Sequence, residues 1–144
     1  MLYFIYIILR LVVLFMIELD KFPCQYCNGD VIYTSNGVLY GGRTYGSGMC
    51  YYCTGCGASV GTHESKPRQA YGILATKQMQ NVRKICHNYF DKSWKTNQIS
   101  RSSAYKKLAL KLNIPKSDCH FGMFDLDMLR KSLKIVEKED WWKN

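Results

Sequence analysis

Residues 50–58 read CYYCTGCGA, with cysteines at 50, 53 and 56, so either neighbouring pair forms a C-x-x-C. A second such element, CQYC, supplies Cys24 and Cys27. Two C-x-x-C pairs offer the four thiolates that zinc takes in a closed tetrahedron. Turn chemistry selects between the pairs. The residue after the second cysteine often needs a left-handed backbone, which Gly adopts freely, Asn tolerably and a β-branched residue badly. Asn28 follows Cys27 and Gly57 follows Cys56, whereas a Cys50/Cys53 pair would be followed by Thr54. Strand alternation agrees, because Cys50 and Cys53 would face opposite sides of a strand. The expected ligands are Cys24, Cys27, Cys53 and Cys56 around one zinc ion, with Cys50 a small residue on the other face. Four thiolates leave no open position for water, so this ion is expected to be structural rather than catalytic.

The other residues with chemical potential are His63, His87 and His120. His120 stands in SDCHFGMFD beside Asp118 and Cys119, with Asp125 close behind. A Cys/His or His/Asp pair can do nucleophilic or acid–base work. No phosphate loop, nucleophile elbow or H-E-x-x-H fixes such a geometry. The plainer roles are a turn held by His120, a loop capped by His63 and a helix boundary at His87. A hydrolase or nuclease using His63 or His120 is therefore the third reading, behind two non-catalytic ones.

Charge suggests the first of those. The chain carries 20 Lys+Arg against 11 Asp+Glu, a net +9. Residues 1–57 and 125–144 each sum to zero, so the excess lies in 58–124, where the acids are Glu64, Asp91 and Asp118. A basic middle points to an anionic partner, nucleic acid first. Arg43, Arg83, Lys84, Lys95, Arg101, Lys106, Lys107 and Lys111 are the candidate phosphate contacts. Tyr45, Tyr51 and Trp94 are candidates to stack on bases. Against this stand a merely solvated helix surface and a Trp94 that plugs a core. The alternative function is a protein-interaction adaptor acting on a host protein, with Tyr40, Tyr45, Trp141 and Trp142 as contact aromatics.

The elements that must position these residues read as follows. GMCYYC is a strand entering the second cysteine turn, ASVG a short closing strand, and VIYT and VLY two strands joined by an SNG hairpin turn. YGGRTYGSG is a glycine-rich loop carrying Arg43. Together, residues 22–62 make a zinc ribbon, a sheet too small to be stable without its metal. THESKPRQAYG, with Pro67, reads as a linker. Apolar residues at Ala75, Met79, Val82, Cys86 and Tyr89/Phe90 predict a helix from Ile73 to about Phe90, after which KSWKTNQIS breaks the pattern. Ala104, Tyr105, Leu108 and Leu112 predict a second helix from Ser102, ended by Asn113 and Pro115. A third starts at the N-cap Asp125, with a Phe124–Leu129 staple and a stripe of Leu126, Leu129, Leu133 and Val136. The fold class is α+β: a small antiparallel four-cysteine zinc ribbon, a three-helix region over 63–138 packed on it, and a tail over 139–144.

The N-terminal segment, residues 1–21, is apolar from Leu2 to Ile17 except for Arg10. It is shorter than the ~20 residues of a spanning helix and lacks a signal peptide's basic start and cleavage site. A true start at Met16 is the favoured reading. A membrane anchor over residues 2–17 and an extra core helix are the alternatives. Paired cysteines in a reducing compartment read as metal ligands, so a cytoplasmic location is expected.

The ordered motifs CQYC, VLYGGRTYG, CTGCGASVGTH, AYKKLALKLNIP and CHFGMFD, spread over residues 22–137, resemble a phage and bacterial family of small zinc-finger-containing proteins described as a domain of unknown function. The resemblance implies a bacterial or phage protein with a four-cysteine zinc site, and a start close to the first C-x-x-C, as at Met16. The first knuckle departs from a C-P-x-C-G form at Gln25 and Asn28, and Asn is tolerable there. The resemblance implies no activity.

Overall fold

The computed structural model describes residues 21–97 and 99–143. The expectations for the apolar segment, the Met16 start and the anchor lie outside the described residues. The chain forms two compact units, with the boundary between Thr76 and Lys77.

The first unit is a four-stranded antiparallel sheet of β1 (Lys21–Pro23), β2 (Asp30–Ser35), β3 (Met49–Cys53) and β4 (Ser59–Gly61), in sequential order. Alternation sorts its faces. Val31 and Tyr33 lie opposite Cys53 and Tyr51, Phe22 opposite Val31, and Val60 opposite Tyr51. These residues pack with Cys24, Ala58 and Leu74 into one core. Cys50 pairs with Thr34 and Gly61, on the opposite face, and is fully buried.

The stretch expected to be a linker folds back along β4. Ser59 and Ala75 exchange backbone hydrogen bonds of 3.0 Å, and the Tyr71 N–H donates to the Gly61 carbonyl. Three tyrosine hydroxyls strap it down: Tyr26 donates to Leu74 O (2.6 Å), Tyr33 to Pro67 O (2.7 Å) and Tyr51 to Arg68 O (2.7 Å). Each ring is left an apolar body to pack while its hydroxyl keeps a partner. Tyr51 is thereby fully buried, which removes it as a base-stacking candidate.

The expected VIYT/VLY hairpin does not form. β2 pairs with β3 instead, and Asn36–Val38 is a 3-10 turn capped by the Ser35 hydroxyl. The reason is Asn36, whose side chain reaches nine residues on. Its Nδ2 donates to Tyr45 O (2.7 Å) and its Oδ1 accepts from Tyr45 N (3.3 Å). That clamp closes residues 36–48 as a loop.

The second unit holds α1 (Lys77–Thr96), α2 (Arg101–Leu112) and α3 (Leu126–Val136), with 3-10 turns at Lys116–Asp118 and Phe121–Met123. α1 starts after the predicted Ile73 because Ala75 is held by Ser59. It runs past Phe90 because its polar end is locally satisfied: Ser93 Oγ donates to Phe90 O, and Trp94 Nε1 donates to Asp91 Oδ1 (2.9 Å). Ser100 caps α2, whose end turns at a left-handed Asn113 (φ 56°). Asp125 caps α3 by accepting from Met128 N, and the staple residues Phe124 and Leu129 are both buried. Phe90, Leu108, Phe121 and Leu129 centre the core, and Trp141 stacks on Phe90 at 5.9 Å. Trp141 is therefore a core residue, which removes it from the contact aromatics of the adaptor reading.

Cys86 and Cys119 are fully buried, and burial pushes each thiol up to about 11 from an ordinary 9.0. Between these values the unfolded chain has lost protons that the folded chain retains. Stability should thus fall as pH rises from about 9 to about 11 and level off above. All three tryptophans, Trp94, Trp141 and Trp142, lie in this unit, so urea unfolding followed by tryptophan fluorescence reads it directly. The midpoint should drop across this window, and Cys86→Ala should make the drop shallower. An equal drop in the variant contradicts the assignment.

Candidate metal centre

The two cysteine turns are built alike. In the first, Cys24 N donates to Gly29 O (2.7 Å) and Asn28 N to Cys24 O (2.8 Å). In the second, Cys53 N donates to Ala58 O (2.8 Å) and Gly57 N to Cys53 O (3.0 Å). Both turn on a left-handed residue at the same place, Asn28 (φ 60°) and Gly57 (φ 77°). This is the backbone requirement that chose Cys53/Cys56 over Cys50/Cys53.

The turns face one another, and the Sγ atoms of Cys24, Cys27, Cys53 and Cys56 all lie within 4.8 Å of each other. Cys24 Sγ is 3.7 Å from Cys56 Sγ, and Cys27 Sγ is 3.4 Å from Cys53 Sγ. A tetrahedron with metal–sulfur bonds of ~2.3 Å has edges of about 3.8 Å, so the four sulfurs fit a metal ion. Backbone N–H groups point at the sulfurs, from Tyr26 to Cys24 (3.4 Å), Gly29 to Cys27 (3.3 Å) and Cys56 to Cys53 (3.5 Å). For Cys53, burial raises the thiol pKa, but the Cys56 and Gly55 N–H groups and the Cys27 and Cys24 thiols outweigh it and bring it down to about 7. Burial raises Cys24. Cys27 is also raised, because the Cys53 thiol and burial outweigh the Gly29 N–H. One sulfur ionises readily and its neighbours resist, as like charges at this spacing must. A divalent cation removes that conflict.

Two glycines make the approach possible, a need that the sequence reading missed. A Cβ on Gly55 would stand 3.0 Å from Cys27 Sγ, and one on Gly29 would stand 3.1 Å from the same sulfur and 3.2 Å from Gly55 Cα. Their value here is clearance rather than backbone freedom. The signal was present, as a glycine inside one knuckle and another just after the first.

The remaining candidates are dispersed. Arg43 is exposed on the 36–48 loop. Lys84 and Lys95 are exposed on α1, with Lys95 3.6 Å from Asp91 and over the half-buried Trp94 ring. Arg83 instead shares the packed stripe with Met79, Cys86 and Phe90, and its Nη2 donates to Gly122 O (3.4 Å). Arg101 lies over the Tyr105 ring. At ~100° per residue, Lys106 falls on one flank of α2 and Lys107 and Lys111 on the other. His63 packs on Tyr71 (4.2 Å) and His87 on Phe121 (4.7 Å). His120 is exposed beside the buried, protonated Cys119, so that pair holds no ready thiolate nucleophile.

Cys53→Ser should abolish metal binding by the reduced protein, whereas Cys50→Ala should keep one ion per chain. Gly55→Ala should weaken metal affinity by at least about tenfold, ~1.4 kcal/mol, while leaving all four thiols in place. Chelator-competition titration measures all three. Metal loss in Cys50→Ala would overturn the ligand set.

No curated protein and no solved structure matches the chain. A family model described as a zinc-finger-containing domain matches residues 20–139, a span that takes in both units and all four clustered cysteines. The chain thus belongs to this family of zinc-finger-containing domains of unknown function.

Proposed function

We propose that Cys24, Cys27, Cys53 and Cys56 hold one structural zinc ion, and that the protein binds nucleic acid through the cations of its helical unit. Zinc suits an all-thiolate tetrahedral set, and a closed set of four leaves no coordination position for a substrate. The ion's contribution is rigidity, and the residues do no chemistry through it. A reducing compartment, as in a cytoplasm, keeps such thiols available.

One observation carries the nucleic-acid reading. Between Lys77 and Phe124 stand ten Lys or Arg and only two acids, Asp91 and Asp118. Asp118 is buried and Asp91 is engaged by Lys95 and Trp94. The charge of this stretch is therefore positive in net excess, which attracts a polyanion and releases its counterions. Lys84, Lys95, Arg101, Lys106, Lys107 and Lys111 are the proposed phosphate contacts. Arg43 belongs to the ribbon, and Arg83 serves the fold.

A second reading, an adaptor for another protein such as a host factor, draws on three apolar side chains left in solvent on the helices. Ile85 and Tyr89 are one turn apart on α1, and Leu110 on α2 is 73% exposed.

Fluorescence anisotropy with labelled single-stranded and duplex DNA and RNA at several salt concentrations separates the two. Nucleic-acid binding predicts affinity that falls linearly on a log–log salt plot, and Lys107→Gln/Lys111→Gln should lower the slope by about two. No binding at low salt would rule out the nucleic-acid reading and favour the adaptor.

A further inference from the structure

The 36–48 loop holds large side chains in solvent although it is well tied. Tyr40 and Tyr45 are 51% and 56% exposed. Their rings meet edge to face with centroids 4.9 Å apart, so each limits the other's rotation. The backbone beneath them is pinned by Asn36 on Tyr45, by Gly42 N donating to Gly37 O (2.8 Å) and by Asn36 N donating to Gly48 O (2.8 Å). Gly37 is packed so closely that an added Cβ would meet the Gly42 carbonyl at 3.3 Å. Exposed aromatic surface on a pinned loop adds little to folding, and such patches mark contact sites.

The charge of the loop indicates what covers it. From Val31 to His63 the only Lys, Arg, Asp or Glu is Arg43, which lies between the two tyrosines in sequence and is exposed. Glu64 flanks the loop beside Gly46. We propose that Tyr40 and Tyr45, with Arg43, form a stacking platform for an unpaired base of a single-stranded nucleic acid. Tyrosine offers a large ring at the entropic cost of two side-chain torsions. Every base has a face that stacks on it, and the exposed Arg43 of the same loop is there to meet the flanking phosphate. The platform rests on the nucleic-acid reading above and adds to it a site that contacts bases, separate from the phosphate-binding cations of the helices.

The test uses the zinc-loaded protein and two fluorescein-labelled strands of equal charge. One is oligothymidylate of about a dozen nucleotides, the other its abasic counterpart. At fixed low salt the native protein should bind the base-bearing strand at least about tenfold more tightly, as one or more stacked bases allow. Tyr40→Leu/Tyr45→Leu should erase that preference while keeping its zinc and its affinity for the abasic strand. Tyr40→Phe/Tyr45→Phe should retain the preference. Equal binding of both strands by the native protein would overturn the platform, leave the phosphate reading standing, and make the loop a protein-contact surface. A preference that survives in the leucine variant would also overturn it. Binding of neither strand would overturn the platform and the nucleic-acid reading together.

Discussion

Four sulfurs within 4.8 Å of one another are the constraint on which the ribbon depends. Each cysteine turn is also a hairpin turn. The first joins β1 to β2 and the second joins β3 to β4, with Cys24 directly after β1 and Cys53 closing β3. A metal ion bridging the turns therefore ties one end of both hairpins and holds the register by which Val31 meets Cys53. β1 and β4 are three residues each, well short of what holds a sheet together unaided. Without a cation, four crowded thiols can give up their protons only against one another's charge.

The other end of the sheet is closed by Asn36, which clamps the β2–β3 loop. Between the two ends, the tyrosine hydroxyls of Tyr26, Tyr33 and Tyr51 bind the returning segment. Arg68, 4.1 Å from the centre of the Tyr33 ring, adds a cation–π contact to the same strap. The helical unit has no such need of a metal. Its stripes close on Phe90, Phe121 and Leu129, and side-chain caps satisfy the starts of α2 and α3. The ribbon thus adds a cysteine cluster and long-range polar bonds to its small apolar core, whereas the helices rest on apolar burial. The proposed binding surfaces follow the same division, with aromatic contact on the ribbon loop and charge on the helices.

The clustering of the four cysteines was legible because the chemistry of their turns is local. The residue after each knuckle must turn left-handed, and Asn28 and Gly57 do so. The α+β class, β2, β3, β4, the end of α2 at Asn113 and the cap of α3 at Asp125 were legible for the same reason. What escaped depends on contacts far apart in sequence. The strap looked like a linker because its carbonyls are bound by tyrosines distant in the chain. SNG looked like a hairpin because the bond from Asn36 to Tyr45 leaves no local mark. Arg83 was read as a phosphate contact because an arginine on an apolar stripe breaks the period by which a packed face is recognised. Trp141 looked like part of a tail because no repeat links it to Phe90. β1 was missed because it lies at the edge of the apolar run and is only three residues long.

The most direct test of the account is a zinc titration of the reduced, metal-free protein followed by amide NMR. The account predicts that amides of 24–61 are poorly dispersed without metal and reach their final dispersed positions at one equivalent, while those of α1 to α3 are dispersed throughout. A ribbon fully dispersed before zinc is added, or a transition that needs a second equivalent, would contradict the central place given to the four-thiolate site.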